Sequence, residues 1–184
     1  MRKLILPLRP SLTLASLAML LGGCATLVPT ESCEQFEARR KQVNYATEYR
    51  RDEKQTVTPM RKGSAAMAMQ YRLRLDPERV HSCSHVTIHK ELVLSRRDDA
   101  GVTLEETREF FAEDGTRIAI KNENVSSQVR QSGRYTAAVL LPIPKNAPAG
   151  AYHLVSTLIL KMKGTAENQV LAKTTVSFEV VPSK

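Results

Sequence analysis

The chain has 184 residues, a formal net charge of +8 and 42% hydrophobic residues. That length bounds it to roughly one domain, and the basic balance favours anionic surfaces. Tryptophan is absent and aromatics make up 5% of the chain, too few for the stacking platforms of single-strand nucleic-acid binders.

Arg2 and Lys3 open the chain, and Leu4 to Leu21 is mostly apolar, interrupted by Pro7, Arg9 and Pro10. The uninterrupted stretch from Ser11 to Gly23 is shorter than the ~20 apolar residues of a spanning helix. It leads into Leu21-Gly22-Gly23-Cys24, which resembles the lipobox of bacterial lipoproteins. The resemblance implies a diacylglycerol on the Cys24 thiol, cleavage after Gly23 and acylation of the new amino group. Ala25, next to the modified cysteine, resembles the outer-membrane class of such proteins. An ordinary secretory signal is the competing reading. Cleavage would leave 184 − 23 = 161 residues and a charge of 8 − 3 = +5, since Arg2, Lys3 and Arg9 depart. That surface suits anionic phospholipid, lipopolysaccharide or peptidoglycan carboxylates, and it equally suits plain solubility.

With Cys24 committed to lipid, Cys33 and Cys83 remain. An even pair in an oxidising envelope reads as a disulfide. The alternative is two reduced thiols, one of them available to a metal.

Four segments follow: a signal over 1–23, a lipidated tether over 24–32, a helix and linker over 33–65, and a β-sandwich over 66–184. Ser32 and Gln35 fit a capping box, and the charged stretch from Cys33 to about Lys54 lacks glycine and proline. Phe36, Val43 and Ala46 form a thin stripe with Tyr49 near it. Glu37 and Lys41 are an i,i+4 pair. Arg39-Arg40-Lys41 and Arg50-Arg51 make the exposed face basic.

After a linker over 55–65, Met67, Met69, Tyr71, Leu73 and Leu75 alternate with Ala68, Gln70, Arg72 and Arg74, the signature of a half-buried strand. Asp76-Pro77-Glu78 is a turn, and one extended run is expected from Val80 to Leu94. Asp98-Asp99-Ala100-Gly101 is the next turn. Val102–Ala112 and Thr116–Lys121 flank Glu113-Asp114-Gly115, a hairpin signal. Asn122–Gly133 is a polar connection with an edge strand near Val125. Arg134–Ile143, Tyr152–Met162 and Val170–Val181 are the last three strands.

About seven strands at this spacing predict a mainly β, antiparallel sandwich preceded by a charged helix. Pro148, Gly150 and Tyr152, followed by Leu154, Ser156 and Leu158, resemble the penultimate strand of bacterial immunoglobulin-like domains. Val176, Phe178 and Val180 resemble the final strand, and Phe111 to Thr116 a hairpin of that family. The likeness covers roughly residues 66–181 and implies an immunoglobulin-like fold without implying an activity.

His81, His85 and His89 share parity with Cys83. On one regular strand all four would lie on one face, successive members about 6.6–7 Å apart. Such a row suits Zn²⁺ or Cu²⁺ if the strand bends, with His153 as a further ligand. A solvated strand face is the plainer reading, and a bonded Cys83 loses its thiolate. Glu105, Glu106, Glu109, Glu113 and Asp114 lack a close calcium loop and are expected to point mostly outward. Met67 and Met69 are expected in the core. Asn124-Val125-Ser126 matches a glycosylation sequon by chance. No Gly-x-Ser-x-Gly, phosphate-cradling glycine loop or His-Glu-x-x-His occurs.

The expectation is therefore a non-enzymatic outer-membrane lipoprotein without a cofactor. Its acylated Cys24 sits in lipid on the periplasmic face, and it serves as a structural or accessory module that holds or helps assemble an envelope protein partner through sheet edges and basic loops. No nucleic-acid partner is expected. The alternative is a metal-binding lipoprotein using His81, His85 and His89, with an envelope hydrolase ranked last.

Overall fold

Period-2 alternation dominates the chain, and the computed structural model shows nine strands and one short helix among the described residues. It describes residues 31–55, 57, 60, 65–97, 101–162 and 168–182. Cys24 and the signal-like segment lie outside the described residues, as do most of the linker, residues 98–100 of the turn expected over 98–101 and residues 164–167 of the turn expected over 164–168.

Helix α1 covers Cys33–Arg40. The strands are β1 (Arg50–Asp52), β2 (Ala66–Asp76), β3 (Arg79–His81), β4 (Ser84–Arg96), β5 (Val102–Ala112), β6 (Arg117–Asn124), β7 (Gly133–Ile143), β8 (Gly150–Met162) and β9 (Asn168–Val181). They form a four-stranded sheet in the order β1-β7-β4-β2 and a five-stranded sheet in the order β3-β9-β8-β5-β6. Pairings are antiparallel except β3 with β9, which run parallel. The expected two-sheet sandwich is present.

The inward faces build two separate apolar clusters. One gathers Leu92, Leu94, Leu104, Val125, Tyr135, Leu158 and Leu160; the other gathers Leu75, Val86, Ile88, Phe110, Tyr152, Leu154 and Phe178. Two tyrosines brace the strand entries in the manner of the tyrosine corner. Tyr152 donates its hydroxyl to Pro148 O at 2.7 Å, and Tyr135 to Gln131 O at 2.6 Å. The Asp114-Gly115 hairpin forms as expected, with Gly115 at φ 81°, a conformation that suits glycine.

The structure corrects several expectations. The helix stops at Arg40 instead of reaching Lys54, although the capping box of Ser32 and Gln35 is made. Beyond it, Tyr45, Thr47 and Tyr49 are partly or fully buried at every second position, so the chain runs extended. Tertiary partners satisfy its backbone in place of a helix ladder. Thr47 N–H donates to the Glu123 carboxylate at 3.1 Å, Tyr49 N–H to Gln128 Oε1 at 2.7 Å, and Gln128 Nε2 to Thr47 O at 2.9 Å. Residues 41–49 are thus a strap running past β6 and entering β1 beside β7. This ties the expected "helix and linker" segment into the sandwich.

Met67 and Met69 are 45% and 50% exposed, not core. A bulge between Ala68 and Gln70 shifts the strand's phase, so Ala66 and Ala68 face inward on one side of it and Tyr71, Leu73 and Leu75 on the other. The run expected from Val80 to Leu94 is two strands on different sheets, parted at Ser82-Cys83. Val125 is no edge strand: β6 is the edge and reaches Asn124, while Val125 and Val129 are buried in the turn that follows.

Candidate functional site

Between the two apolar clusters lies a layer of buried polar side chains. Each contributing strand supplies it at an inward position flanked by apolar ones: Lys90 between Ile88 and Leu92, Glu106 and Arg108 between Leu104 and Phe110, Ser156 between Leu154 and Leu158. The Lys90 and Glu106 side chains are 0% exposed and form an ion pair across the sheets. Glu106 also accepts from Tyr49 OH and from Ser156 Oγ, each at 3.0 Å, and Ser156 Oγ meets Tyr71 OH at 2.7 Å. Lys90 Nζ donates to Thr47 Oγ1 at 2.9 Å, which donates to Glu123 at 2.7 Å. Glu123 in turn pairs with Arg108 and Lys121. Every charge therefore has a counter-charge and hydrogen bonds, the condition for burying it.

Burial pushes the Lys90 ammonium down to about 8, against the opposing pull of Glu106. Burial and the Glu106 charge push the Tyr49 and Tyr71 hydroxyls well up. Of the acidic residues expected to point mostly outward, Glu106 is the exception: it points inward and is buried. It was readable in principle: Lys90 shares parity with Val86, Ile88, Leu92 and Leu94, and Glu106 and Arg108 share parity with Leu104 and Phe110.

The histidines are not brought together. His81 ends β3 on the five-stranded sheet, with Nδ1 3.1 Å from Pro182 O. His85 opens β4 on the other sheet, its ring centroid 4.9 Å from Phe36 and 6.0 Å from Tyr45. Burial, with the Arg39 charge, lowers its pKa. His89 sits further along β4, opposite Arg74 and Ala138, in a shallow outer groove of about 370 Å³. His153 meets Ser177 Oγ at 2.9 Å on β8. Among the described residues, no group of three or more His, Cys, Asp or Glu could hold a metal ion. Cys83 is bonded to Cys33, with Cα atoms 5.3 Å apart. The row fails because Cys83 takes a left-handed backbone (φ 58°) at the switch between sheets.

The structure instead presents an apolar cleft of about 610 Å³ at one end of the sandwich. Phe110 and Ala112 of β5, Ile118 and Ala119 of β6, Leu141 and Ile143 of β7, Tyr152 of β8 and Phe178 of β9 line it, with the proline-bearing loop 144–149. Tyr152 and Phe178 stack at 5.4 Å between centroids. The rim carries Arg40, Glu113, Asp114 and Asn146.

Three ties set α1 at this rim. The disulfide joins its first residue to the β3–β4 switch. Lys145 N–H donates to Glu37 at 2.8 Å, and Lys145 Nζ pairs with Glu34 at 2.9 Å. Arg40 pairs with Glu37 at 2.7 Å, and this bond, with the one from Lys145, holds the Glu37 carboxyl below the usual carboxylate range. The cleft is built to desolvate apolar groups, and the deeply buried ionisable groups lie a layer away. Sequence reasoning missed it because its walls come from five elements, each residue of which reads as ordinary core.

No family model and no curated protein matches the sequence. Among solved structures, the chain is similar to the C-terminal domain of Wzt, at 12% identity and a TM-score of 0.45, over 80% of this chain and 86% of that one. It is also similar to part of a family 123 glycoside hydrolase from Clostridium perfringens, at 11% identity, TM-score 0.38, over 57% of this chain and 22% of that one. A glycosyl hydrolase family 2 member from Bacteroides cellulosilyticus matches at 16% identity, TM-score 0.37, over 62% and 15%. Likeness at this level carries neither activity nor ligand to this chain.

Proposed function

We propose that this protein is a lipid-anchored, non-enzymatic binding module. It is held on the periplasmic face of a bacterial outer membrane through Cys24 and grips an envelope protein in the cleft at the end of its sandwich. The observation that carries this reading is the cleft: a preformed, apolar, solvent-open space in a molecule whose Lys90–Glu106 ion pair, with Tyr49 and Tyr71, is packed between the sheets. Concave apolar sites with a few polar rim groups are the common form of a binding site. Burial of Lys90 and Glu106 supports a structural task for them. The lipobox-like Leu21-Gly22-Gly23-Cys24 supports the anchor, and Ala25 the outer-membrane address.

The test has two arms. Cys24→Ser is expected to abolish the lipid mass increment and release the protein from membranes; unchanged fractionation would refute the anchor. In cells, a photocrosslinker at Ile118 is expected to trap one envelope protein, and Ala119→Arg, which fills the cleft, should abolish that product. A crosslink pattern indifferent to Ala119→Arg would remove the cleft from the function.

A further inference from the structure

We infer that the cleft receives an extended apolar segment of a protein partner, added as a strand to the open edge of β6. The inference deepens the binding role proposed above and rests on it. β6 ends the five-stranded order, so among the described residues only its β5 side is paired. Val125 N–H donates to Leu104 O at 2.9 Å, and the register continues as Glu106–Glu123, Arg108–Lys121 and Phe110–Ala119. Hydrogen-bonded and non-bonded pairs alternate along an antiparallel ladder. Ala119, Lys121 and Glu123 therefore direct their backbone groups at β5, and Ile120 directs its N–H and C=O at the open edge.

The side chains point to the same occupant. Ile120 is 50% exposed on the outer face, and Ile118, 54% exposed, sits at the bulge opposite Phe110–Phe111 and lines the cleft. Ala119 faces between the sheets and is nevertheless exposed, because the strap covers β6 only from Lys121 onward. There Lys121 Nζ donates to Tyr45 O at 2.6 Å and Thr47 holds Glu123. The uncovered stretch opens into the cleft opposite Leu141 and Ile143. A strand laid on this edge alternates its side chains between two faces. One set fills the gap beside Ile118 and Ala119; the other lies over Ile120. An acyl chain would fill the gap but leave the edge amide and carbonyl unanswered. Main-chain bonds then supply affinity and the cleft supplies selectivity. With Arg40 neutralised by Glu37, Glu113 and Asp114 leave the rim negative, which selects a lysine or arginine beside the apolar residues.

The experiment uses the full chain in detergent, panned against displayed random peptides of about twelve residues. Selected peptides are expected to alternate apolar and polar residues and to carry a basic residue. Ile120→Pro should weaken them about tenfold or more with the melting temperature unchanged, because proline there removes an edge donor and leaves the β5 ladder intact. Binding lost in Ala119→Arg but retained in Ile120→Pro would overturn strand addition and leave the cleft reading standing. Binding indifferent to both would overturn both, and recovery of no peptide above a scrambled control would overturn strand addition. Self-association abolished by Ile120→Pro would identify a second copy of the chain as the occupant, against the inference.

Discussion

Lys90 and Glu106 are a charged pair in the middle of a hydrophobic sandwich, and their value depends on each other. Removing one partner of a buried pair leaves an uncompensated charge, at a cost of about 3–5 kcal/mol. Glu106→Gln, which keeps the shape and one of the two oxygens that accept from Tyr49 and Ser156, is expected to cost that much in denaturant unfolding. Adding Lys90→Met should recover more than half; purely additive losses would show that the pair is not coupled. The pH dependence follows from the same lysine. A lysine in the unfolded chain keeps its proton to about pH 10.4, whereas Lys90 gives it up near 8 in the fold. Between those values the unfolded state binds more protons, so stability rises with pH. Glu106 and Glu123 oppose the shift, and Arg108 reinforces it. Above about pH 10, Tyr49 and Tyr71 act in the opposite sense, because their hydroxyls stay protonated in the fold after they ionise in the unfolded chain. Melting temperature should therefore climb from about pH 8 toward 10 and then fall, and Lys90→Met should flatten the climb.

At the scale of elements, the N-terminal segment shows how tertiary partners override a local pattern. Its capping box was legible because it is purely local, and it forms. The continuation of the helix was misread because the signals that stop it lie far along the chain. Glu123 and Gln128 take the backbone groups of Thr47 and Tyr49. The same holds for the run around His81, His85 and His89, which parity predicted as one face. The disulfide turn at Cys83 sends β3 to one sheet and β4 to the other. Cys33→Ala with Cys83→Ala should lower unfolding free energy by about 4 kcal/mol, as expected for a loop of this length. It should also loosen α1, raising hydrogen exchange over Cys33–Arg40 more than over β8. Uniform acceleration of exchange would argue against a local tether.

Over the whole molecule, the polar layer divides the interior into two apolar clusters, and this division is testable. Leu154 lies in one and Leu158 in the other, four residues apart on β8, about 13 Å along the strand. Each is expected to cost about 2–5 kcal/mol as alanine, and the double variant should equal the sum within about 0.5 kcal/mol. A large coupling would mean one continuous core. The sequence by itself determined the sandwich class, most strand positions, the Asp114-Gly115 hairpin and the candidacy of Cys33 with Cys83. These rest on alternation, turn chemistry and cysteine count, all of which act over a few residues or none. Only the tertiary structure decided the outward turn of Met67 and Met69, the separation of the histidines and the cleft. A single bulge or sheet switch reverses the face of every residue beyond it, and a cleft walled by five elements exists only once their backbones are placed side by side.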